Sequence, residues 1–367
     1  MDTQLDNREW VRQAICEIEA DYKRSSDTHL LKVAVPGFQY VDLYFKDEST
    51  HPTGSLKHRL ARSLFLYGLC NGSINEGTTI IEASSGSTAI SEAYFAKLIG
   101  LDFVAVVPEN TAEEKLEKIA FYGGTFHKVP PSDLYRAAED LAMKLGGVYM
   151  DQFTFAERAT DWRGNNNIAQ SIFDQMRYEK NSEPAWVVVS AGTGGTSATI
   201  GRYIRYRGLS TRLCVADPEG SVFYEAFMHR DYSVTSTKPS IIEGIGRPRV
   251  EPSFVPAVID RMIKVPDAAS LACIHWLQSL LDRRCGGSTG CNMYAALEIM
   301  CELEARKAPA SVVSVLCDGG ERYANSYYSQ RWLREKGLHL EPYTEQLNTL
   351  MEKPVWSRPE TDEASTN

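Results

Sequence analysis

Short β-branched runs, each followed by a helical pattern, recur along most of this chain, and that alternation constrains the fold more than any other feature. AWVVVSAG (185–192) shows it most clearly: a continuous apolar run leads into GTGGTSATIGRYI (192–204), a glycine-rich turn that opens a helix. Apolar runs joined by helices belong to parallel sheets assembled from βαβ units. YVDLYFK (40–46), TTIIEAS (78–84), DFVAVVPE (102–109), TFHKV (125–129), RLCVADPE (212–219) and VVSVLCDGG (312–320) read as further strands. STAISEAYFAKLIG (87–100) and AEEKLEKIAFYG (112–123) read as helices, the second with acidic residues in its first turn and glycine after its last.

A chain of 367 residues built this way predicts an α/β fold of two lobes, changing over near 151–167. We place an N-terminal helical extension at 1–28 and a first lobe at 29–155, whose first strand is able to join the other sheet. A second lobe follows at 156–335 and a C-terminal extension at 336–367. Both extensions read as peripheral, and the closing SRPETDEASTN (357–367) as disordered.

Three small-residue turns carry the chemistry. In SAGTGGT (190–196), Gly192, Thr193, Gly194, Gly195 and Thr196 lie between a strand and a helix. Glycine lets backbone approach an anion, and a helix start offers unpaired N–H groups, so this turn suits a phosphate. It lacks the Gly-Lys-Ser end of a Walker loop, and its spacing is not the dinucleotide fingerprint, which argues against a nucleotide-binding oxidoreductase. In EASSGSTA (82–89), Ser84, Ser85, Ser87 and Thr88 surround Gly86 at a second helix start, which suits a carboxylate as well as plain capping. In CGGSTGCNMYAALEI (285–299), Ser288 stands among glycines before a third helix, where it can cap or bond a buried heteroaromatic nitrogen.

Lys57 in STHPTGSLKHRL (49–60) sits at a loop-to-helix junction. Lysine is ordinarily a surface residue. Beside a phosphate cradle and a carboxylate cradle, however, a junction amine meets a joint need: a phosphorylated aldehyde cofactor and an amino acid, joined by Schiff-base chemistry.

The excluded classes follow from composition. A net charge of −9 without a basic stripe argues against nucleic acid. No apolar run reaches membrane-spanning length and the start is polar and acidic, so a cytosolic protein is expected. The eight cysteines form no C-x-x-C pair and read as buried small hydrophobes, with Cys285 and Cys291 flanking the third turn; no metal ligand set is visible.

Together these motifs resemble the fold type II pyridoxal-phosphate enzymes, the family of cysteine synthase and cystathionine β-synthase. The likeness runs in order over about residues 28–335. It implies a tryptophan-synthase-β-like fold of two mostly parallel twisted sheets flanked by helices, pyridoxal 5'-phosphate as cofactor, an amino acid as substrate, and a homodimer. It implies Lys57 as the amine that bonds the cofactor, and Gly192, Thr193, Gly194, Gly195 and Thr196 as its phosphate loop. Ser288 would face the pyridine nitrogen. Ser84, Ser85, Gly86, Ser87 and Thr88 would hold the substrate carboxylate, with Gly244 of IIEGIG (241–246) beside the pocket. One departure is notable: the synthases carry asparagine where this chain has Ser87, a shorter side chain that reaches the cofactor ring differently.

SSGSTA with PTGSLKHR most resembles the desulfhydrase branch, which implies β-elimination of L-cysteine to hydrogen sulfide, pyruvate and ammonia. Lys57 would then remove the α-proton, and a neutral Ser288 at the ring nitrogen would make a weaker electron sink suited to elimination. The alternatives are β-replacement, making cysteine from O-acetylserine and sulfide, and a binding homologue without turnover. His51 is a possible accessory base; His58, adjacent to Lys57 on a helix, points elsewhere. Asp318 and Glu321 pair locally in this reading.

Overall fold

The computed structural model describes residues 2–238 and 240–359. The tail expected to be disordered lies, from residue 360 on, outside the described residues. The first part of the chain forms α1 (Asp2–Lys23), β1 (His29–Val33), β2 (Val41–Asp47), α2 (Lys57–Cys70), β3 (Ile80–Ala83), α3 (Ser87–Leu98) and β4 (Phe103–Pro108). It continues through α4 (Glu113–Phe121), β5 (Thr125–Val129), α5 (Leu134–Leu145), β6 (Val148–Tyr149), α6 (Gln152–Ala159) and α7 (Ile168–Met176). Next come β7 (Trp186–Ser190), α8 (Gly195–Arg207), β8 (Arg212–Pro218), α9 (Phe223–His229) and β9 (Arg261–Val265). The chain closes with α10 (Asp267–Leu281), α11 (Gly287–Glu304), β10 (Ala310–Leu316), α12 (Gln330–Glu335) and α13 (Glu341–Glu352).

Two units result: residues up to Asp27 together with His51–Asp161, and Thr28–Thr50 together with the chain from Trp162 onward. The first holds a four-stranded sheet in the order β5-β4-β3-β6, parallel throughout. Its central strands β3 and β4 are buried on both faces, while the edge strand β5 is mostly exposed, and the period of two sorts the central side chains. Ile80, Phe103, Ala105 and Val107 pack with Ala61, Leu64 and Phe65 of α2 and Ala89, Ala93 and Ala96 of α3. Ile81, Ala83 and Val106 face the other way, against Ala138 and Ala142 of α5. The spacing 61, 64, 65, 69 on α2 is the stripe an amphipathic helix needs.

The second unit holds six strands in the order β1-β2-β10-β7-β8-β9, parallel except for the antiparallel β1–β2 pair. Along α11, Cys291, Met293, Tyr294, Leu297, Ile299 and Met300 are all buried, as in a helix covered on every side.

Residues 29–50, grouped with the first lobe, lie in the second unit, the course the sequence reading left open for the first strand: β2 lies between β1 and β10 and supplies Val41, Leu43 and Phe45 to that unit's core. The ends are not merely peripheral: Ala14 and Ile18 of α1 enter the first unit's core, and Leu347 and Leu350 of α13 enter the second's.

Candidate functional site

In the first unit, Gly54 sets the position of Lys57. The chain turns tightly at His51–Gly54, closed by the Gly54 N–H donating to the His51 carbonyl at 2.8 Å. Gly54 takes a left-handed φ of +74°, open to glycine without strain. Lys57 then opens α2, its N–H reaching Ser55 Oγ at 3.3 Å, and its side chain is half-buried. His58 turns away into packing: its Nδ1 lies 3.2 Å from Thr53 Oγ1, and its ring packs against Phe95 and His51 at 4.8 and 5.0 Å. His51 is thereby occupied in stacking as well.

The loop after β3 is a helix-start cradle. Gly86 caps α3 in extended conformation, and the first helical bond runs from Ile90 N–H to Gly86 O at 3.2 Å. The Thr88 and Ala89 amides precede that bond and have no carbonyl of their own helix to reach. Ser84 Oγ accepts the Gly86 N–H at 3.2 Å, curling the loop, and a Cβ added to Gly86 would meet nothing within 4 Å, so the space above the loop is open. Thr88 is buried and donates to Gln152 Oε1 at 2.7 Å. Ser84, Ser85 and Ser87 are half-exposed at the rim.

Behind that loop lie two groups that the sequence reading missed. Glu82 is fully buried, accepting the Ala83 N–H at 2.7 Å and the Gln152 N–H at 3.1 Å. Glu92 of α3 is also fully buried. Burial, partly offset by the two backbone donors, pushes the Glu82 carboxyl up to about 8; burial and the neighbouring Glu82 raise Glu92 well above its ordinary range. The available signal was an acidic residue inside each of two apolar patterns, TTIIEAS and AISEAYFA.

The second unit brings together the remaining predicted residues. Gly194 caps α8 with φ +93°, and the first helical bond runs from Ala198 N–H to Gly194 O at 2.9 Å, leaving the Thr196 and Ser197 amides at the helix start. Gly195 N–H donates to Thr193 Oγ1 at 3.2 Å. Gly194 has no room for a side chain: a Cβ would lie 2.6 Å from Phe254 Cα. A Cβ on Gly192 would collide with the Gly244 carbonyl, so Gly244 sits directly against this loop, itself exposed and at φ +84°. Backbone amides, a positive helix end and glycines that admit close approach fit a phosphate monoester.

Ser288, in the first turn of α11, is buried. Next to it, Thr289 Oγ1 accepts the Cys317 N–H at 3.1 Å. Asp318 accepts from Tyr323 Oη at 2.8 Å and lies 3.8 Å from Arg322, the local pairing expected of it. Cys285 and Cys291 are buried free thiols, and burial pushes Cys285 up to about 12, which makes it a poor nucleophile. Cys16 and Cys70 depart from the expectation of burial, each lying exposed on its helix. Among the described residues no group of three or more ligating side chains could hold a metal, and no helix is long and apolar enough to cross a membrane.

Comparison with known proteins gives four findings. The family described as pyridoxal-phosphate dependent enzyme matches residues 27–318. The L-cysteine desulfhydrase Cds1 of Mycobacterium tuberculosis is 57% identical over 337 residues, covering 90% of this chain and 92% of that protein. A cysteine synthase of Dictyostelium discoideum is 28% identical over 312 residues, covering 82% and 81%. Among solved structures, an O-ureido-L-serine synthase crystal structure superposes with a TM-score of 0.72 at 24% identity, over 82% of this chain and 91% of that one, which speaks to the fold.

Proposed function

The chain belongs to the pyridoxal-phosphate dependent enzyme family, and on that premise we propose that it is an L-cysteine desulfhydrase. L-cysteine and water would yield hydrogen sulfide, pyruvate and ammonia, a balance that needs no oxidant. The observation that carries the reading is the likeness, across 90% of the chain, to a protein bearing that name. The more distant cysteine synthase supports the family rather than the reaction.

We assign the groups as follows. Pyridoxal phosphate, when bound, supplies an electron-withdrawing ring that weakens the substrate's Cα–H and Cβ–S bonds. The turn from Gly192 to Thr196 holds its phosphate, with the helix-start amides as donors. Lys57 would hold the cofactor aldehyde through its amine, and the same amine would take the substrate's α-proton as general base. Ser84 to Thr88 grip the substrate carboxylate, fixing the direction of the Cα–H bond, and Gly244 borders the substrate. Ser288 offers the ring nitrogen a neutral hydroxyl. Ser87 stands where the synthases carry a longer amide and would reach the cofactor ring differently. The same family likeness supports a homodimer, checked by light scattering as a mass of two chains.

Supplying L-cysteine alone to the purified, cofactor-loaded protein tests the reaction. The proposal expects sustained release of pyruvate and sulfide in equal amounts. Negligible pyruvate, together with cysteine made from O-acetylserine and sulfide, would overturn it in favour of β-replacement.

A further inference from the structure

Two adjacent tyrosines of the second unit, Tyr327 and Tyr328 in the turns that follow β10, have no part in the proposed chemistry. Tyr327 is fully buried and Tyr328 half-buried. Each phenol serves a loop backbone twice. Tyr327 Oη accepts the Glu243 N–H at 2.7 Å and donates to the Ile241 carbonyl at 2.9 Å. Tyr328 Oη accepts the Cys285 N–H at 3.0 Å and donates to the Cys285 carbonyl at 2.8 Å. A phenol both donates and accepts, so each of these takes one N–H and satisfies one C=O, as a neighbouring strand would. Burial raises both phenols well above their ordinary range, and they keep the proton that the donation needs.

The loops held in this way are the ones assigned above to the substrate and to the cofactor ring. Ile241 and Glu243 belong to IIEGIG, part of the long connection between α9 and β9, in which the described residues form neither α-helix nor strand. Such backbone must find its partners elsewhere in the protein. Tyr327 holds the middle of the segment, and its end is tied to the phosphate turn. There the Gly246 N–H donates to Ala191 O at 2.9 Å, and the Gly244 carbonyl lies against Gly192. Cys285 opens the other loop, which leads through the Gly286 cap to Ser288.

The tyrosines are themselves fixed. The Tyr327 ring stacks on Tyr323 with 4.6 Å between centroids, and its carbonyl accepts from His275 Nε2 of α10 at 2.9 Å. Tyr323 Oη is in turn bonded to Asp318. A Cβ added to Gly287 would lie 2.9 Å from the Tyr327 ring and 3.1 Å from Ile242, so ring, substrate-side loop and third turn pack on one another.

We propose that Tyr327 and Tyr328 are positioning residues: Tyr327 sets the 241–246 loop and with it the fit of the amino-acid substrate, and Tyr328 sets the turn that carries Ser288 and with it the surroundings of the cofactor ring. The inference deepens the reading above and rests on it, since it takes Gly244 to border the substrate and Ser288 to face the ring nitrogen.

Tyr327→Phe and Tyr328→Phe keep the rings and remove only the hydroxyls. In the cofactor-loaded protein, Tyr327→Phe should raise KM for L-cysteine about tenfold and leave kcat within about twofold, the split expected when substrate binding alone is loosened. Tyr328→Phe should keep the wild-type KM and move the visible absorption band of the bound cofactor. Amide hydrogen exchange read by mass spectrometry is independent of turnover: it should quicken in 240–246 alone in the first variant and in 284–290 alone in the second. An unchanged KM or unchanged exchange in Tyr327→Phe overturns its role, and an unmoved band or unchanged exchange in Tyr328→Phe overturns that of its neighbour. An equal rise of KM in both variants, or exchange quickened throughout the second unit, would show general loosening and overturn the proposal as well. Should a variant fail to fold, the wild type decides: its Glu243 and Cys285 amides should exchange slowly, and exchange at the rate of an open loop defeats the proposal. A wild type that releases no sulfide from L-cysteine would instead overturn the proposed reaction. The exchange pattern then decides the tyrosines' hold on the loops, segment-confined quickening supporting it and unchanged exchange overturning it.

Discussion

Asp217 ends β8 with one carboxyl oxygen accepting the Tyr224 N–H at 2.8 Å and the other buried with no partner. Burial pushes this carboxyl up to about 7. A carboxyl raised in the folded state binds its proton more tightly there than in the unfolded chain. The stability it contributes is therefore fully present below the ordinary carboxyl range, near 4, and is lost as pH rises through about 7. Asp217→Asn keeps an acceptor for the Tyr224 amide and removes the titration. Urea midpoints measured at about pH 5 and about pH 8 should differ less in this variant than in the wild type, with the gain on the alkaline side. An identical pH dependence in both proteins would refute the assignment. Buried single carboxyls of this kind, like Glu82 and Glu92, leave almost no trace in a sequence. An aspartate near the end of a strand reads as an approach to the next turn, and only the folded neighbourhood reveals that it lacks solvent.

At the level of elements, the helix starts do most of the positioning. α3 and α8 each begin just after a strand ends, so that a small-residue turn presents backbone amides at the strand's carboxyl end. The turn before α8 tolerates no added side chain. In Gly194→Ala the new Cβ would lie 2.6 Å from Phe254 Cα and Ser253 O, on a residue whose φ of +93° disfavours any L side chain. We expect its affinity for pyridoxal phosphate to fall by about tenfold or more, with a far-ultraviolet circular dichroism spectrum like that of the wild type. Wild-type affinity would mean that the phosphate is held elsewhere. These turns were legible in the sequence because glycine there answers to backbone geometry. β9 and α10 were not noticed: RMIKV is a short run with charges at two positions, and α10 is buried along most of its length, so neither displays a clean period.

Across the whole molecule, the chain's route departs from its apparent order. Residues 28–50 leave the first unit to complete the second unit's sheet before the chain returns at His51. YVDLYFK reads as a buried strand from its own residues, but nothing local states which sheet it enters; that is fixed by β10, far along the chain, whose Ala310–Leu316 pairs with Val41–Asp47. The parallel α/β plan and the three turns were readable because each rests on local pattern. Strand partners, the contributions of α1 and α13 to the cores, and the buried acids depend on contacts between distant residues. The account as a whole depends on the amine of Lys57, so the decisive measurement compares sulfide and pyruvate release from L-cysteine by the wild type and by Lys57→Ala, each supplied with pyridoxal phosphate. We predict a loss of at least about a hundredfold in the variant, with no cofactor retained after borohydride at that position. Release at the wild-type rate from Lys57→Ala would contradict the account.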